Sequence, residues 1–244
     1  MSRSIVSRVV VVTVLLAAAQ LAGGQLAGAQ EYTVPPVAGG VAEGPAFSDW
    51  FRFRPFGWSA DGKFAWLMSH DIDGRGGTVY TYVIYDAVED STVFSKADDS
   101  YDWGTDAEAT EEESWKRSGE EVSAALAKYG IVQSPGIEVS AFPLQRGGDR
   151  YTAALKTRDD PAKGEDDEDR IASYTLTLSS RSRGSKIVTQ KDKAGASQVT
   201  VNGYILSPKE PRILVVVGER RRAFEGEEET LVFSGAHLLV GFRK

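Results

Sequence analysis

The sequence predicts a mainly β protein, either propeller-like or a two-sheet sandwich, with about ten short antiparallel strands and one amphipathic helix. Short segments rich in aromatic and β-branched residues recur along the chain, and turn residues bound each of them. Only one long segment, about 111–129, has the 3.6-residue periodicity of a helix. The chain contains no cysteine, so packing without disulfides must stabilise the fold.

The first 29 residues predict a signal peptide that directs export. Arg3 and Arg8 precede an apolar run at 9–19 and give a positively charged start. Small residues follow the run, so we expect cleavage between Ala29 and Gln30. The apolar run is shorter than the roughly 20 residues that span a bilayer, which disfavours a retained anchor. We therefore expect a periplasmic or secreted protein with no integral membrane segment after cleavage.

Composition and charge disfavour several functions. Removal of 29 residues from 244 leaves 215, which is enough for one domain with a sizeable core. Because the removed segment carries two arginines and no acid, the net charge falls from −7 to −9. Such a surface repels nucleic acid and anionic lipid on average, so no nucleic-acid partner is predicted. The negative net charge is still compatible with a local basic patch. Without cysteine, thiol catalysis and cysteine-based zinc sites are excluded.

The mature chain divides into a flexible leader at 30–46 and a single β-rich domain at 47–244. Proline and glycine crowd the leader, which predicts little fixed structure. Strands then follow at 63–70, 78–86 and 91–96 in the pattern of a β-meander. Both alternating faces of 78–86 are apolar, so we expect a central strand that is covered on both sides.

One helix, at about 111–129, interrupts the strands. Thr110 and Glu113 form a capping box, in which a hydroxyl and a carboxylate each satisfy a free backbone N–H group. Gly130 suits the left-handed position that ends many helices. An apolar stripe predicts that the helix packs on a sheet. The residues of the stripe are Trp115, Val122, Leu126 and Tyr129.

The C-terminal half predicts further strands and a charged loop. The loop, 158–169, has no large apolar residue and should be solvated. The continuous apolar run at 213–217 predicts a strand that is buried on both faces. The predicted strands lie at 137–144, 150–157, 171–180, 186–191, 197–207, 212–218 and 230–242.

A structural turn connects the first two predicted strands. Its defining residues are Ser59, Asp61, Gly62 and Lys63. Asp-Gly favours a hairpin because glycine tolerates positive φ and aspartate bonds its own backbone. A related order recurs near the C-terminus, where Ser207 corresponds to Ser59 and Arg212 corresponds to Lys63.

This turn resembles the Ser-Pro-Asp-Gly-Lys hairpins of TolB-type periplasmic β-propellers, in which the turn precedes a strand and then a Tyr-x-x-Asp strand. The resemblance implies propeller-like sheets. Only two copies are visible in the sequence, whereas a closed propeller needs at least about four blades of about 40–50 residues. We therefore expect open propeller-like sheets or a sandwich in preference to a closed propeller.

Most of the mature chain is similar to a bacterial family of predicted secreted proteins of unknown function. The shared features correspond here to the turn Ser59–Gly62, the loop Asp73–Gly76 and the segment Arg222–Gly226. This resemblance implies export and a β-rich fold, and it implies no activity and no site. The chain departs from the pattern at Ala60, where proline is usual.

One candidate for a metal site is the stretch His-Asp-Ile-Asp-Gly-Arg-Gly-Gly at 70–77. Asp71 and Asp73 alternate before glycines, as oxygen ligands do at the start of a calcium loop. The stretch lacks a third acid and a closing glutamate, so a glycine-rich hairpin loop is the favoured interpretation. No cofactor is predicted.

One candidate for recognition is the charged segment 219–229. Its residues Arg220, Arg221, Arg222, Phe224, Glu225 and Gly226 form a predicted interaction loop between two strands. Arginine forks suit phosphate or carboxylate groups, and exposed loops on a rigid sheet often act in recognition. The neighbouring glutamates would neutralise the arginines, so a hairpin tip whose charges pair with one another is the alternative.

The preferred function is a non-enzymatic binding or interaction module of the cell envelope, whose partner is an unknown envelope protein or polymer. Export and the propeller-like turn support it, and none of the common hydrolase or phosphate-binding motifs occurs in the sequence. An enzyme that hydrolyses an envelope polymer is the first alternative, on compartment alone. A calcium or small-ligand binding protein is the second.

Overall fold

The computed structural model describes residues 30–36, 51–72, 76–104, 109–163, 170–223 and 226–244. The described residues from Glu31 onward belong to one compact unit. They form twelve strands, one α-helix and one short 3-10 helix at Ser100–Trp103. The strands make three antiparallel sheets, and none of these sheets closes into a barrel within the described residues. The prediction of a mainly β fold with one helix is therefore confirmed.

The N-terminal strands form a five-stranded sheet, called here the meander sheet. They are β1 (Phe51–Trp58), β2 (Lys63–Asp71), β3 (Thr78–Asp86), β4 (Ser91–Asp99) and β5 (Val132–Gln133). Their spatial order is β4-β3-β2-β1-β5, so β3 lies inside the sheet as its apolar faces predict.

The C-terminal strands form two further sheets. The outer sheet contains β6 (Leu144–Arg146), β7 (Asp149–Asp159), β8 (Ile171–Ser180) and β9 (Gly184–Lys191) in that order. The central sheet contains β10 (Gln198–Leu206), β11 (Arg212–Ala223) and β12 (Gly226–His237) in that order.

Three apolar clusters join these layers. The helix α1 (Glu111–Lys128) packs on one face of the meander sheet, with Leu126 fully buried there. The opposite face of that sheet meets the central sheet, where the rings of Trp66 and Phe233 lie 4.3 Å apart. The second face of the central sheet meets the outer sheet through residues such as Leu176 and Val215. The layers are thus helix, meander sheet, central sheet and outer sheet.

The strand β11 lies at the centre of this stack. Residues 213–217 have no exposed surface, and their side chains alternate between the two clusters on either side of the central sheet. This confirms the predicted strand buried on both faces, and it explains why the run is continuously apolar instead of alternating.

The helix begins and ends close to its predicted bounds. Thr110 Oγ1 accepts a hydrogen bond from the Glu113 backbone N–H at 3.2 Å, and Gly130 has φ of +64°. The Glu113 carboxylate pairs with Lys116 at 2.9 Å and with Arg117 at 3.7 Å instead of returning to the Thr110 backbone. Of the two hydrogen bonds of the predicted capping box, the one from the Glu113 N–H to Thr110 is therefore present and the one to the Glu113 carboxylate is not.

Two predictions about extended segments need correction. The predicted strand at 137–144 is wrong, since only Leu144–Arg146 forms a strand in this region. The preceding residues are held by a single bridge in which Ser140 and Tyr204 exchange backbone hydrogen bonds of 2.9 Å. Pro143 lacks the N–H group that a continued ladder requires. The strand β7 also continues through Asp159, into the start of the predicted charged loop, whose residues 164–169 lie outside the described part of the chain.

Residues 31–36, within the range predicted as a leader, lie against the meander sheet. Tyr32 is buried and its hydroxyl donates to the Ile131 carbonyl at 2.8 Å. Arg54 Nη1 donates to the Pro35 carbonyl at 2.9 Å. Residues 37–46 of that range lie outside the described residues.

Candidate functional site

The predicted turn between β1 and β2 is held by its own side chains. Ser59 Oγ donates to Asp61 Oδ1 at 2.6 Å and accepts from the Lys63 N–H at 2.8 Å. Lys63 Nζ lies 2.5 Å from Asp61 and 3.4 Å from Asp86. The hydrogen bond with Asp61 raises the pKa of Lys63, although burial opposes this. The pKa of Asp61 is lowered by the same contact and by Ser59.

The corresponding turn between β10 and β11 shares the backbone hydrogen bond that closes the first turn and its basic–acidic pair. The Ser207 N–H donates to the Arg212 carbonyl at 3.0 Å, as the Ser59 N–H donates to the Lys63 carbonyl at 2.8 Å. Arg212 Nε lies 2.7 Å from Glu210 Oε1, which repeats the basic–acidic pairing of the first turn. The sequence likeness between the two turns therefore corresponds to a likeness in structure.

The two turns lie against each other. Arg212 Nη1 donates to the Ala87 carbonyl at 2.9 Å, at the end of β3. Gly62 has φ of +88°, which favours glycine, and a Cβ atom placed on it would lie 2.6 Å from the Glu210 carboxylate, which shows how closely the two turns approach. Arg212 thus joins the second turn to the meander sheet. The contacts of Ser59, Asp61 and Lys63 described above hold the first turn itself and tie it to Asp86 of the same sheet.

The candidate metal ligands do not form a cluster in the described part of the chain. Asp71 Oδ1 accepts a hydrogen bond from Thr78 Oγ1 at 2.7 Å, across the ends of β2 and β3. Asp73 lies outside the described residues. Among the residues that the structure describes, no group of three or more His, Asp or Glu side chains could hold a metal ion.

The three arginines of the predicted interaction loop are strand residues at the end of β11. In the β11–β12 register they lie opposite three glutamates: Arg220 faces Glu229, Arg221 faces Glu228 and Arg222 faces Glu227. Arg220 Nη1 also lies 3.7 Å diagonally from the Glu227 carboxylate. Phe224 and Glu225, which connect the strands, lie outside the described residues, and Gly226 begins β12.

These paired residues extend beyond the rest of the central sheet. The β10–β11 ladder ends where Gln198 pairs with Arg220, whereas the β11–β12 ladder continues to Ala223 and Gly226. Residues 221–223 and 226–228 therefore form a two-stranded extension, called here the ribbon. Arg222, Glu227 and Glu228 are exposed on it.

A buried ion-pair cluster fixes the base of the ribbon. The Glu219 side chain has no exposed surface, and both of its oxygens lie 2.7 Å from Lys191 Nζ on the outer sheet. Tyr174 Oη donates to Glu219 Oε1 at 2.7 Å, and Arg221 Nη2 approaches Glu219 Oε2 at 3.3 Å. Arg221 Nη2 also donates to the Ala194 carbonyl at 2.9 Å. Three donors thus compensate the buried carboxylate, as a charge in this environment requires.

The cluster makes Arg221 a structural residue despite its place in the predicted interaction loop. Burial, and then the carboxylate of Glu219, raise the pKa of Tyr174, so this hydroxyl remains a donor. Lys191 and Arg221 are partly exposed, at 33% and 40% of their side-chain surface. The arrangement holds β11 to the outer sheet and leaves the ribbon beyond it accessible.

Sequence reasoning missed Glu219, Tyr174 and Lys191 as a group. The sequence did contain a signal for Glu219. It alternates along β11 with Ile213, Val215 and Val217, so its side chain lies on the same face, which meets the outer sheet. An acid on a buried face implies a compensating partner. The identity of that partner depends on which sheet packs there, and the sequence does not encode this locally.

Comparison with known proteins adds no relative. The chain matches no family model, no curated protein and no solved structure. Within the described part of the chain, no helix combines the length and the apolar character needed to cross a membrane.

Proposed function

We propose that this chain is an exported, non-enzymatic binding module of the bacterial cell envelope, and that it contacts a protein partner through the β11–β12 ribbon. One observation supports this most directly: the ribbon extends past β10 while its base is fixed by the buried carboxylate of Glu219. A recognition element that is already ordered loses less conformational entropy on binding.

The chemistry of the ribbon suits a protein surface. It presents arginines and glutamates in cross-strand pairs, so a partner with alternating charges would match it better than a ligand of one sign. Arginine is also among the residues that contribute most to protein interfaces. The signal peptide predicted at residues 1–29 places such a partner in the envelope.

The experiment is capture of a partner from envelope extract by the purified mature chain, followed by a binding measurement with the purified partner. A photo-reactive residue at position 224 should cross-link that partner. The ribbon variant combines Arg222→Ala, on the ribbon, with Arg220→Ala, at its base. It should weaken the complex by roughly tenfold or more, which corresponds to about 1.4 kcal/mol.

The control for this experiment is Arg181→Ala with Lys209→Ala. This pair also removes two positive charges, and both residues are exposed and distant from the ribbon in sequence and register. The control should bind as tightly as the unaltered chain. Equal affinity of the ribbon variant, or the absence of any stoichiometric partner, would refute the proposal.

A further inference from the structure

Among the residues that the structure describes, no helix or sheet covers the outward face of the outer sheet. On β7 the outward positions alternate with the core residue Tyr151, and all of them are exposed. They are Arg150, Thr152, Ala154, Lys156 and Arg158. The strand thus presents three cations and one hydroxyl along one edge of an open face.

The neighbouring strand adds only hydroxyl groups to this face. The outward positions of β8 alternate with the buried Tyr174, Leu176 and Leu178. They are Thr175, Thr177 and Ser179, which are half-buried, and Ser173, which is buried. Since neighbouring strands lie about 4.8 Å apart and alternate residues about 6.8 Å apart, these groups form a regular grid.

The face carries no carboxylate at its outward strand positions, although the whole chain has 35 acidic and 28 basic residues. Arg158 Nε donates to Ser173 Oγ at 3.1 Å. Among the described residues, neither Arg150, Lys156 nor Arg158 forms an ion pair. The positive charge of this face is therefore not neutralised by acids of the same sheet.

A shallow groove of about 280 Å³ lies on this face. The row Lys156–Thr175–Gln190 crosses three strands and lines it together with Arg158. Asp192 is the one carboxylate in the lining, and it accepts a 3.4 Å hydrogen bond from Gln190. Pockets for drug-sized ligands hold roughly 300–1,000 Å³, so this groove suits one small polar unit.

We propose that this face binds an acidic polysaccharide, with a carboxylate of the glycan at Lys156 and Arg158 and sugar hydroxyls along Thr175 and Gln190. Charge complementarity determines the sign of the ligand, since the cations lack carboxylate partners. The hydroxyl groups outnumber the cations, so the matching ligand is rich in hydroxyls and carries charges at intervals. An open sheet face also suits a polymer, of which the groove holds one unit.

Nucleic acid fits the same face less well. Single-stranded nucleic acid is bound by stacking bases on aromatic side chains, and no outward position of β7 or β8 is aromatic. Duplex binding depends on many phosphate contacts, whereas this face offers three cations in a chain of net charge −7. We therefore commit to a glycan as the ligand.

The test is affinity electrophoresis and calorimetry of the mature chain with polygalacturonate, with its methyl-esterified form and with DNA. Polygalacturonate should bind, and its affinity should fall as the salt concentration rises, because salt screens exposed charges. The esterified form should bind roughly tenfold more weakly or not at all. Binding of DNA as tight as that of polygalacturonate would overturn the choice of ligand.

Variants locate the binding surface. Lys156→Ala with Arg158→Ala should reduce the affinity for polygalacturonate by about tenfold, whereas Arg181→Ala with Lys209→Ala should leave it unchanged. Thr175→Val with Thr177→Val should also weaken binding, because valine lacks the hydroxyl groups that contact the sugar. The charges of the face are unchanged in this variant, so its effect reports on the hydroxyl groups alone. The proposal would be overturned if the two charge variants lost affinity for polygalacturonate equally. It would also be overturned if the threonine variant bound polygalacturonate as tightly as the unaltered chain. Circular dichroism checks that each variant is folded.

This inference goes beyond the proposed protein partner and uses a different surface. The ribbon variant should bind polygalacturonate normally, and the Lys156→Ala with Arg158→Ala variant should bind the protein partner normally. Each proposal is thus tested by its own variant and its own ligand, so the failure of one does not change the result expected for the other.

Discussion

Replacing Gly235 by alanine should destabilise the protein by about 3 kcal/mol, because two backbones meet at this position. Gly235 lies on β12 and faces the end of β3 in the meander sheet. A Cβ atom placed on it would lie 1.9 Å from the Ala87 carbonyl oxygen, whereas real contacts of this kind essentially never fall below 3.0 Å. The two sheets would have to separate locally by at least 1.1 Å.

The magnitude follows from what this separation disturbs. A gap of about 0.5–1 Å forfeits a quarter to a half of the dispersion energy between atoms in contact, and the buried Trp66–Phe233 pair lies next to the site. The Gly235 N–H also donates to Asp90 at 2.7 Å, and Tyr85 Oη donates to the Phe233 carbonyl at 2.9 Å. Two distorted hydrogen bonds of about 1 kcal/mol each add to an overpacking penalty of about 1–3 kcal/mol.

Thermal and urea unfolding of the mature chain measure this effect. A loss of about 3 kcal/mol lowers Tm by about 6–12 °C for a domain of this size. Gly218→Ala is the matched control: the atoms nearest to its Cβ are side-chain ends of Glu229, at 2.7 Å, and Asn202, at 2.9 Å, instead of backbone atoms. We expect the control to lose about 1 kcal/mol. Stability of Gly235→Ala within about 1 kcal/mol of the unaltered chain would refute the close contact between the sheets.

Two further predictions concern the helix cap and one lysine. Thr110→Ala should destabilise the protein by about 1 kcal/mol in urea unfolding, because it removes the hydroxyl that accepts from the Glu113 N–H, and Thr110→Ser should restore most of the loss; no loss in the alanine variant would contradict the cap. Lys186 Nζ donates to the His237 and Val240 carbonyls, and burial, followed by the nearby Arg212, lowers its pKa to about 8. An unfolded lysine has a pKa near 10.5, so the unfolded state binds more protons between these values and stability should rise with pH from about 8 towards 10. Tm measured between about pH 7.5 and 9.5 should show this rise in the unaltered chain and a flatter profile in Lys186→Met, whereas parallel profiles would contradict the assignment.

Local chemistry was sufficient to predict most elements. The helix was predicted to within one residue at its end, because its cap, its apolar stripe and the glycine after it are local signals. The strand at 213–217 was predicted as buried on both faces because a short continuous aliphatic run rich in β-branched residues is typical of such strands. The segment 137–144 was predicted wrongly, since its alternation resembled a strand but its backbone pairs through one bridge only.

The candidate site was predicted less well than the fold. The sequence indicated the arginines of 220–222 but treated them as one loop, whereas the β11–β12 register makes them strand residues that face glutamates. Arg221 differs from its neighbours because it contacts Glu219, and this contact requires the outer sheet to pack against that end of β11. The open face of the outer sheet had no local signal, because hydroxyls and cations also occur on any solvated strand.

The sequence by itself determined most of the strands, the helix and the two related turns, since each depends on residues within a few positions of one another. The lack of cysteine excluded disulfides. The tertiary structure alone decided that the central sheet lies between the other two and that Glu219 meets Lys191. It also decided that no described element packs on the outward side of β7 and β8. The reason is that apolar alternation determines which face of a strand is buried but not which sheet covers it. That choice is made by side-chain packing between residues far apart in the chain.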